Sequence, residues 1–304
     1  MLKNLLLGAV AVLAMGTAVT TAYAQDIKEF RVGLLGGENE ADRLRNNACL
    51  ADHLKEAFGF DKVSLFPAAD YDGVIQGLLG GTLDFAELGA SGYAKVYMTD
   101  PKAVTPILTT VQTDGSEGYY SVLVARKDSG YKSLQDLKGK TLGYADPDST
   151  SGYLIPLATL PKDLGMPVDK FFSATSFNGG HENNVLAVLD KKIDAGVTWA
   201  SGIGNWDDGY SSGNLHEMVN KGELDMHDIV QLWQSPLIPN GPLVVRSALG
   251  PEWIKKITDF FNDLPAKDPK CFSAVENGDF KGYAPVTPDF YAPIVAARKA
   301  QIGG

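Results

Sequence analysis

The chain is short of cysteine, histidine and basic clusters. Its 304 residues hold two Cys and four His, and 37 Asp and Glu outnumber 27 Lys and Arg, for a formal charge of −10. With no basic run, nucleic acid and anionic membrane surfaces are not expected partners. His53, His216 and His227 show no ligand spacing, and His181-Glu182-Asn-Asn lacks the second His of a zinc helix. No metal and no cofactor are therefore expected. The Gly-x-x-x-x-Gly-Lys of a nucleoside triphosphate loop is missing too. The two cysteines, Cys49 and Cys271, leave two readings in an exported chain: one disulfide, or two separate buried thiols.

Long apolar runs are also missing. The one uncharged stretch, Leu5–Met15, is short of the roughly 20 residues a spanning helix needs. Lys3 precedes it, and Ala22-Tyr23-Ala24 supplies a small-x-small pattern before Gln25. That is a signal peptide over residues 1–24, cleaved near Ala24. No Cys follows the run to carry a lipid, so no direct membrane anchor is expected. The expected product is exported to the periplasm, and losing Lys3 takes its charge from −10 to −11.

What the chain does have is alternation. Strand-like Phe30–Leu35, Lys62–Phe66 and Leu83–Leu88 alternate with helical Ala41–Phe58 and Tyr71–Leu79. Thr141–Tyr144, Phe171–Phe177 and Ile193–Trp199 alternate with helical Ser151–Leu160 and Glu182–Leu189. The pattern predicts an α/β fold with mainly parallel sheets flanked by helices. Leu79–Ser91 and Leu189–Ser201 both read Leu-x-x-x-apolar-Asp, with a Ser seven residues after the Asp. Either the chain carries a faint duplication or two similar units coincide by chance. The extended stretches Tyr119–Ala125 and Ser235–Arg246 predict two crossings between lobes. The expected first lobe is 25–121 with 243–304, and the second is 122–242. Residues 199–228, rich in Gly, Ser, Asn and Asp, read as an inserted loop. Its Gly209-Tyr-Ser-Ser-Gly213 follows polar residues, so it does not read as a hydrolase elbow.

The stretch Asp146-Pro-Asp-Ser-Thr-Ser-Gly-Tyr-Leu-Ile-Pro156 lines up Ser149, Thr150 and Ser151 at a helix start. One hydroxyl suffices as a cap. Three beside free N–H groups after a strand suggest an anion site, and plain capping is the other reading. His181, after Gly179-Gly180, is a candidate oxyanion donor or a capping residue. Tyr71 and Tyr119 sit at element boundaries, where their hydroxyls either enter a cleft or pack at an interface.

Five ordered segments, "DYDGVIQGL" at Asp70, "GYYSVLVA" at Gly118, "DPDSTSGYLIP" at Asp146, "GGHENNVLAV" at Gly179 and "SPLIPNGP" at Ser235, give the chain a resemblance to a known family. It resembles the periplasmic phosphonate-binding proteins of phosphonate ABC importers, the PhnD type. The resemblance implies a two-lobed type II binding-protein fold that closes on its ligand. It implies that Tyr71, Tyr119, Ser149, Thr150, Ser151 and His181 hold the phosphonate, and that a membrane permease is the partner. The family members that bind an aminophosphonate clamp its ammonium with two carboxylates. Ser201 and Gly241 stand at those positions here. Asp207 and Asp208 are the expected substitutes if the insertion folds in; otherwise amine selectivity is relaxed. Trp199 and Trp206 lie near that edge, as a ligand wall or as packing.

The expected function is phosphonate capture without catalysis. Binding of phosphate or phosphite, an exported phosphoesterase and a periplasmic sensing module are the alternatives. The esterase would need metal ligands or an activated nucleophile, which the sequence does not display.

Overall fold

Asp84 and Asp194 occupy the same place in two copies of one chain path. Each immediately precedes the third strand of its unit, and each carboxylate accepts an N–H from the first strand. The Arg31 N–H reaches Asp84 at 3.0 Å and the Thr141 N–H reaches Asp194 at 2.9 Å. Two Leu-x-x-x-apolar-Asp segments have thus folded alike. The structure, a computed structural model, describes residues 27–303 except Glu38. The expected signal peptide lies outside the described residues.

The first unit runs β1 (Glu29–Leu34), α1 (Glu40–Phe58), β2 (Lys62–Pro67), α2 (Tyr71–Leu79), β3 (Phe85–Glu87), α3 (Ala90–Thr99) and β4 (Val104–Gln112). The chain then crosses to β5 (Gly118–Arg126), β6 (Thr141–Tyr144), α4 (Ile155–Leu164), α5 (Val168–Phe171), β7 (Ala174–Phe177), α6 (His181–Leu189) and β8 (Ala195–Ala200). Next come α7 (Asn214–Lys221), β9 (Ile229–Gln234) and β10 (Ile238–Pro239). It returns through β11 (Pro242–Arg246), α8 (Pro251–Lys267), α9 (Pro269–Val275), β12 (Phe280–Pro285) and α10 (Ala292–Gly303).

The strands form two sheets, in the orders β12-β4-β11-β3-β1-β2 and β10-β5-β8-β6-β7, with β9 also on β5. The expected parallel pairing holds for three strands in each sheet, β2-β1-β3 and β7-β6-β8. The linking strands β4, β5 and β11 run antiparallel to their neighbours. A chain that leaves a sheet and re-enters it comes back from the cleft end, which sets that direction. Sheet passage occurs at residues 113–117 and 240–241, so β5 lies in the second sheet from Gly118 and β11 in the first from Pro242. Asn240 ties the passages together: its Nδ2 donates to the Thr110 carbonyl at 2.9 Å, and its N–H donates to the Glu117 carbonyl at 3.0 Å.

Each sheet buries apolar side chains on both faces. Phe30, Leu50, Phe85 and Phe261 fill one side of the first sheet, and Val74, Ile75, Tyr93 and Tyr291 the other. Leu142, Leu160 and Val197 lie on one side of the second sheet, and Val185, Leu215 and Met218 on the other. Side chains of this size contribute about 1.5–3 kcal/mol each on full burial. Local signals set the element ends. Asn39 accepts the Ala41 N–H at 2.9 Å to start α1, and Gly59, at φ 68°, ends it. Asp70 accepts the Gly73 N–H at 2.9 Å to start α2. Cys49 on α1 and Cys271 on α9 are joined, across 222 residues of sequence. No helix among the described residues is long and apolar enough to cross a membrane.

Three expectations change in detail. Residues 199–228 are not all loop: they include α7, whose buried Leu215 and Met218 give too short an apolar stripe to read from sequence. Phe171–Phe177 divides into the last residue of α5 and the strand β7. Ser151–Leu160 begins as a wide turn, Thr150–Leu154, before α4.

Candidate ligand-binding site

A cavity of about 190 Å³ opens between the sheets, and most residues singled out from the sequence line it. Tyr71, Tyr119, Ser149, Thr150, Ser151 and His181 are all on its wall. Tyr71 and His181 open α2 and α6, the corresponding helices of the two units, so the duplicated path aims both at one place. The units touch there: a Cβ on Gly180 would overlap the Gly37 backbone.

Backbone geometry builds the Ser149–Ser151 turn. Ser149 is extended (φ −69°, ψ 140°), and its Oγ accepts the Gly152 N–H at 3.0 Å. The Leu154 N–H reaches back five residues to the Ser149 carbonyl at 3.1 Å. Such a widened turn is a feature of functional sites. Among the described residues nothing accepts the Thr150 and Ser151 N–H groups. Gly152 is required: a Cβ there would lie 2.5 Å from the Ala145 Cβ and 2.8 Å from the His181 ring. The turn thus offers free N–H groups and three hydroxyls, each residue at most 2% exposed. That is the equipment of an anion site.

Neutral donors surround the turn. His181 Nε2 lies 3.2 Å from the Ser149 Oγ, and its Nδ1 lies 3.5 Å from the Thr198 Oγ1. Burial pulls the imidazole down to about 3, so it is uncharged at neutral pH. The Asn214 amide donates to Thr198 at 2.9 Å and helps orient that hydroxyl. Burial raises the Tyr119 phenol, against the pull of hydrogen bonds with Ser151 and Thr150. Its ring stands edge-on to Trp199, centroids 5.5 Å apart, and Trp199 lines the cavity too.

Beneath the turn, Asp148 is held by two cations of the first lobe, Lys95 Nζ at 2.7 Å and the Arg298 guanidinium. Asp146 Oδ1 accepts the Asp148 N–H at 2.7 Å, and burial raises its carboxyl. These acids brace the loop rather than face the cavity, and neither is on its wall. A second ionic group bridges the lobes near the rim. Lys221 on α7 meets Glu217 at 3.2 Å, Glu182 at 2.5 Å and, across the cleft, Asp42 of α1 at 3.0 Å.

The cavity does not receive every candidate. Ser201 is buried elsewhere, its Oγ 3.0 Å from the Ser211 Oγ. Asp207 and Asp208 are exposed on the far side of the insertion; Asp207 lies 3.8 Å from His227, and the Asn205 amide reaches Asp208 at 3.4 Å. Trp206 packs edge-on to Tyr210 at 5.8 Å. The insertion does touch the first lobe, through a bridge between Ser212 and Gly278. A Cβ on Gly241 would overlap the Leu88 carbonyl oxygen, so that position lines the cavity with backbone alone. Sequence reasoning missed Glu87, Glu276 and Arg43, which also line the cavity. Glu87 ends β3, where α/β sheets present ligand-facing residues, and that rule was the available signal.

A model of the family described as "ABC transporter, phosphonate, periplasmic substrate-binding protein" matches residues 32–291. The chain is 30% identical over 277 residues to the phosphonates-binding periplasmic protein of Escherichia coli K12, covering 90% of this chain and 76% of that one. It is 30% identical over 254 residues to the phosphate-import protein PhnD of Mycolicibacterium smegmatis, covering 81% and 74%. The solved binding protein of an ABC phosphonate transporter from Pseudomonas aeruginosa superposes with a TM-score of 0.75 at 28% identity, over 91% of this chain and 87% of that one.

Proposed function

The chain belongs to the family of periplasmic substrate-binding proteins of phosphonate ABC transporters, and we propose that it captures a phosphonate on the Ser149–Ser151 turn and delivers it to a membrane permease. The observation that carries this reading is the pair of unclaimed N–H groups at Thr150 and Ser151, in one cavity with Tyr71, Tyr119 and His181. A tetrahedral anion offers several acceptor oxygens, and converging neutral donors match that demand. No bond is made or broken: the ligand leaves as it entered. The lobes would close about the passages at residues 113–117 and 240–241. Export and removal of the signal peptide near Ala24 belong to the same reading.

A phosphate ligand is the second reading, favoured by the Mycolicibacterium smegmatis relative. The apolar part of the cavity wall, Leu50, Phe85, Phe261 and Phe280, argues for an organic substituent instead. Phosphate has nothing to place against such a surface. Titration calorimetry with methylphosphonate, phosphate and sulfate decides the matter. Tightest binding of methylphosphonate is expected. Preference for phosphate overturns the phosphonate reading. Recovery of the released ligand by phosphorus NMR, unchanged, is expected alongside.

A further inference from the structure

Two acids share the cavity with the hydroxyl turn. Glu87 ends β3, and Glu276 follows α9. Glu276 is 6% exposed, and its Oε1 accepts the Tyr283 hydroxyl. Among the described residues no hydrogen bond reaches its Oε2 or either Glu87 carboxylate oxygen, and neither acid has an ion-pair partner. The accessible area that half-buried Glu87 keeps is explained by the cavity it lines. Arg43 lines the same cavity and directs its Nη1 at the carbonyls of Leu34 and Leu35, at 3.1 and 2.9 Å. The phenols of Tyr119, Tyr283 and Tyr291 feel the charge of the pair, and Tyr71 and His181 share the cavity wall.

Two carboxylates in a poorly hydrated cavity repel each other, and desolvation adds to the cost of charging both. Burial, then the charge of Glu276, raises Glu87 well above the carboxylate range, and burial raises Glu276 to about 7. The pair is relieved either by keeping a proton or by receiving a cation. The cavity's chemistry selects the kind of cation. A hard metal ion asks for about six or more oxygen ligands, whereas these acids adjoin Phe85, Phe261 and Phe280. An ammonium on a short hydrocarbon spacer is satisfied by two carboxylates and apolar walls.

Resting on the phosphonate reading above, we infer that Glu87 and Glu276 hold the cationic group of a zwitterionic ligand, an aminoalkylphosphonate, whose anionic end lies on the Ser149–Ser151 turn. Ser201 and Gly241 left two expectations, a clamp from Asp207 or Asp208 or relaxed amine selectivity, and neither aspartate lines the cavity. Gly241 has no room for a side chain because the Leu88 backbone fills the space, and Leu88 directly follows Glu87, the last residue of β3. Negative charge has moved to the neighbouring strand instead of being lost.

The test is calorimetry on the mature chain with 2-aminoethylphosphonate and ethylphosphonate, in wild type, Glu87→Gln, Glu276→Gln and the double variant. Wild type should prefer the amine by at least about tenfold. Each variant should reduce that preference and the double variant should abolish it, with ethylphosphonate affinity kept or improved. Both substitutions retain shape, and the amide oxygen introduced by Glu276→Gln still accepts from Tyr283, so the fold is kept; a thermal melt equal to or above wild type checks this. Near pH 7 the amine should also expel a proton to buffer, seen as a heat that scales with buffer ionisation enthalpy, while ethylphosphonate should not. Equal affinity for the two ligands in wild type overturns the cation subsite alone, as does an amine preference that survives in the double variant. If neither phosphonate binds, the phosphonate reading falls and this inference with it.

Discussion

The Thr150 hydroxyl of the second lobe accepts the Ser91 N–H of the first lobe at 2.8 Å. Helix Ala90–Thr99 has Gly89 at its N-cap and no side-chain cap from its own lobe. Thr150 therefore caps a helix across the cleft through its oxygen. This contact between the lobes and the contact proposed for the ligand share one oxygen. With the ligand placed as proposed, binding and lobe closure would be coupled through it.

Separate substitutions distinguish the two jobs. Ser151→Ala removes a hydroxyl that the Thr150–Ser91 contact does not use and should weaken phosphonate binding by about one to two decades, roughly 1.5–3 kcal/mol. Its melting temperature without ligand should stay near wild type. Thr150→Val removes both the cap and the ligand donor and should lose more affinity than Thr150→Ser, which keeps both. Calorimetry on the three variants checks the order.

Asp42 is the first lobe's contribution to the Lys221 cluster. Burial alone would lower the lysine, but Glu182, Glu217 and Asp42 outweigh it and hold Lys221 above its ordinary value. Asp42→Asn should cost the closed form about 0.5–1 kcal/mol, as a partly exposed pair does. Small-angle scattering should then show a larger radius of gyration than wild type at equal subsaturating ligand. Lys221→Met leaves Glu182 and Glu217 uncompensated and should lower the melting temperature far more.

His181 makes stability fall on the acid side. Its folded value, about 3, lies below the ordinary 6.5, so the unfolded chain binds the proton first as pH drops through 6.5. Between pH 7 and 5 wild type should lose about 2 kcal/mol relative to His181→Asn. Glu276 works in the opposite direction. Its value is raised to about 7, so its contribution is lost as pH rises from the ordinary 4.5 through 7. Urea unfolding at the two pH values, with His181→Asn and Glu276→Gln, separates the contributions. Equal pH dependence in wild type and His181→Asn would contradict the first.

The Cys49–Cys271 bond links α1 to α9 across 222 residues. Replacing both with Ser should cost about 2–5 kcal/mol, the usual range for losing such a link. Glu276 directly follows α9, so its position in the cavity should loosen as well. A melt and an ethylphosphonate titration of the double serine variant measure both effects.

Much of the layout was open to inspection in the one-dimensional chain. Period-two and period-3.6 apolar spacing marked α1, α2, β2 and β6 to within a residue or two, because each buries a contiguous face. α7 was not marked, since an eight-residue helix with two buried apolar residues carries little periodic signal. The three consecutive hydroxyls and the residues that open α2 and α6 were conspicuous because their positions depend on local caps and strand ends. Glu87 and Glu276 were not. Nothing near either in sequence names the other, and they meet only because β3 and the C-terminal end of α9 border one cavity.

By itself, then, the sequence determined the alternation of elements, the repeated Asp84 and Asp194 units and the chemistry of the Ser149–Ser151 turn. Each of these follows from residues near one another in the chain, whose propensities and caps act locally. Tertiary structure alone decided which charges face the cavity. It sent Asp207 and Asp208 to solvent, turned Ser201 toward Ser211, left Gly241 no space beside Leu88 and put Glu87 and Glu276 on the wall of one cavity. The reason is that the energy of a charge depends on what surrounds it in space, and that surrounding is assembled from strands and helices almost 190 positions apart.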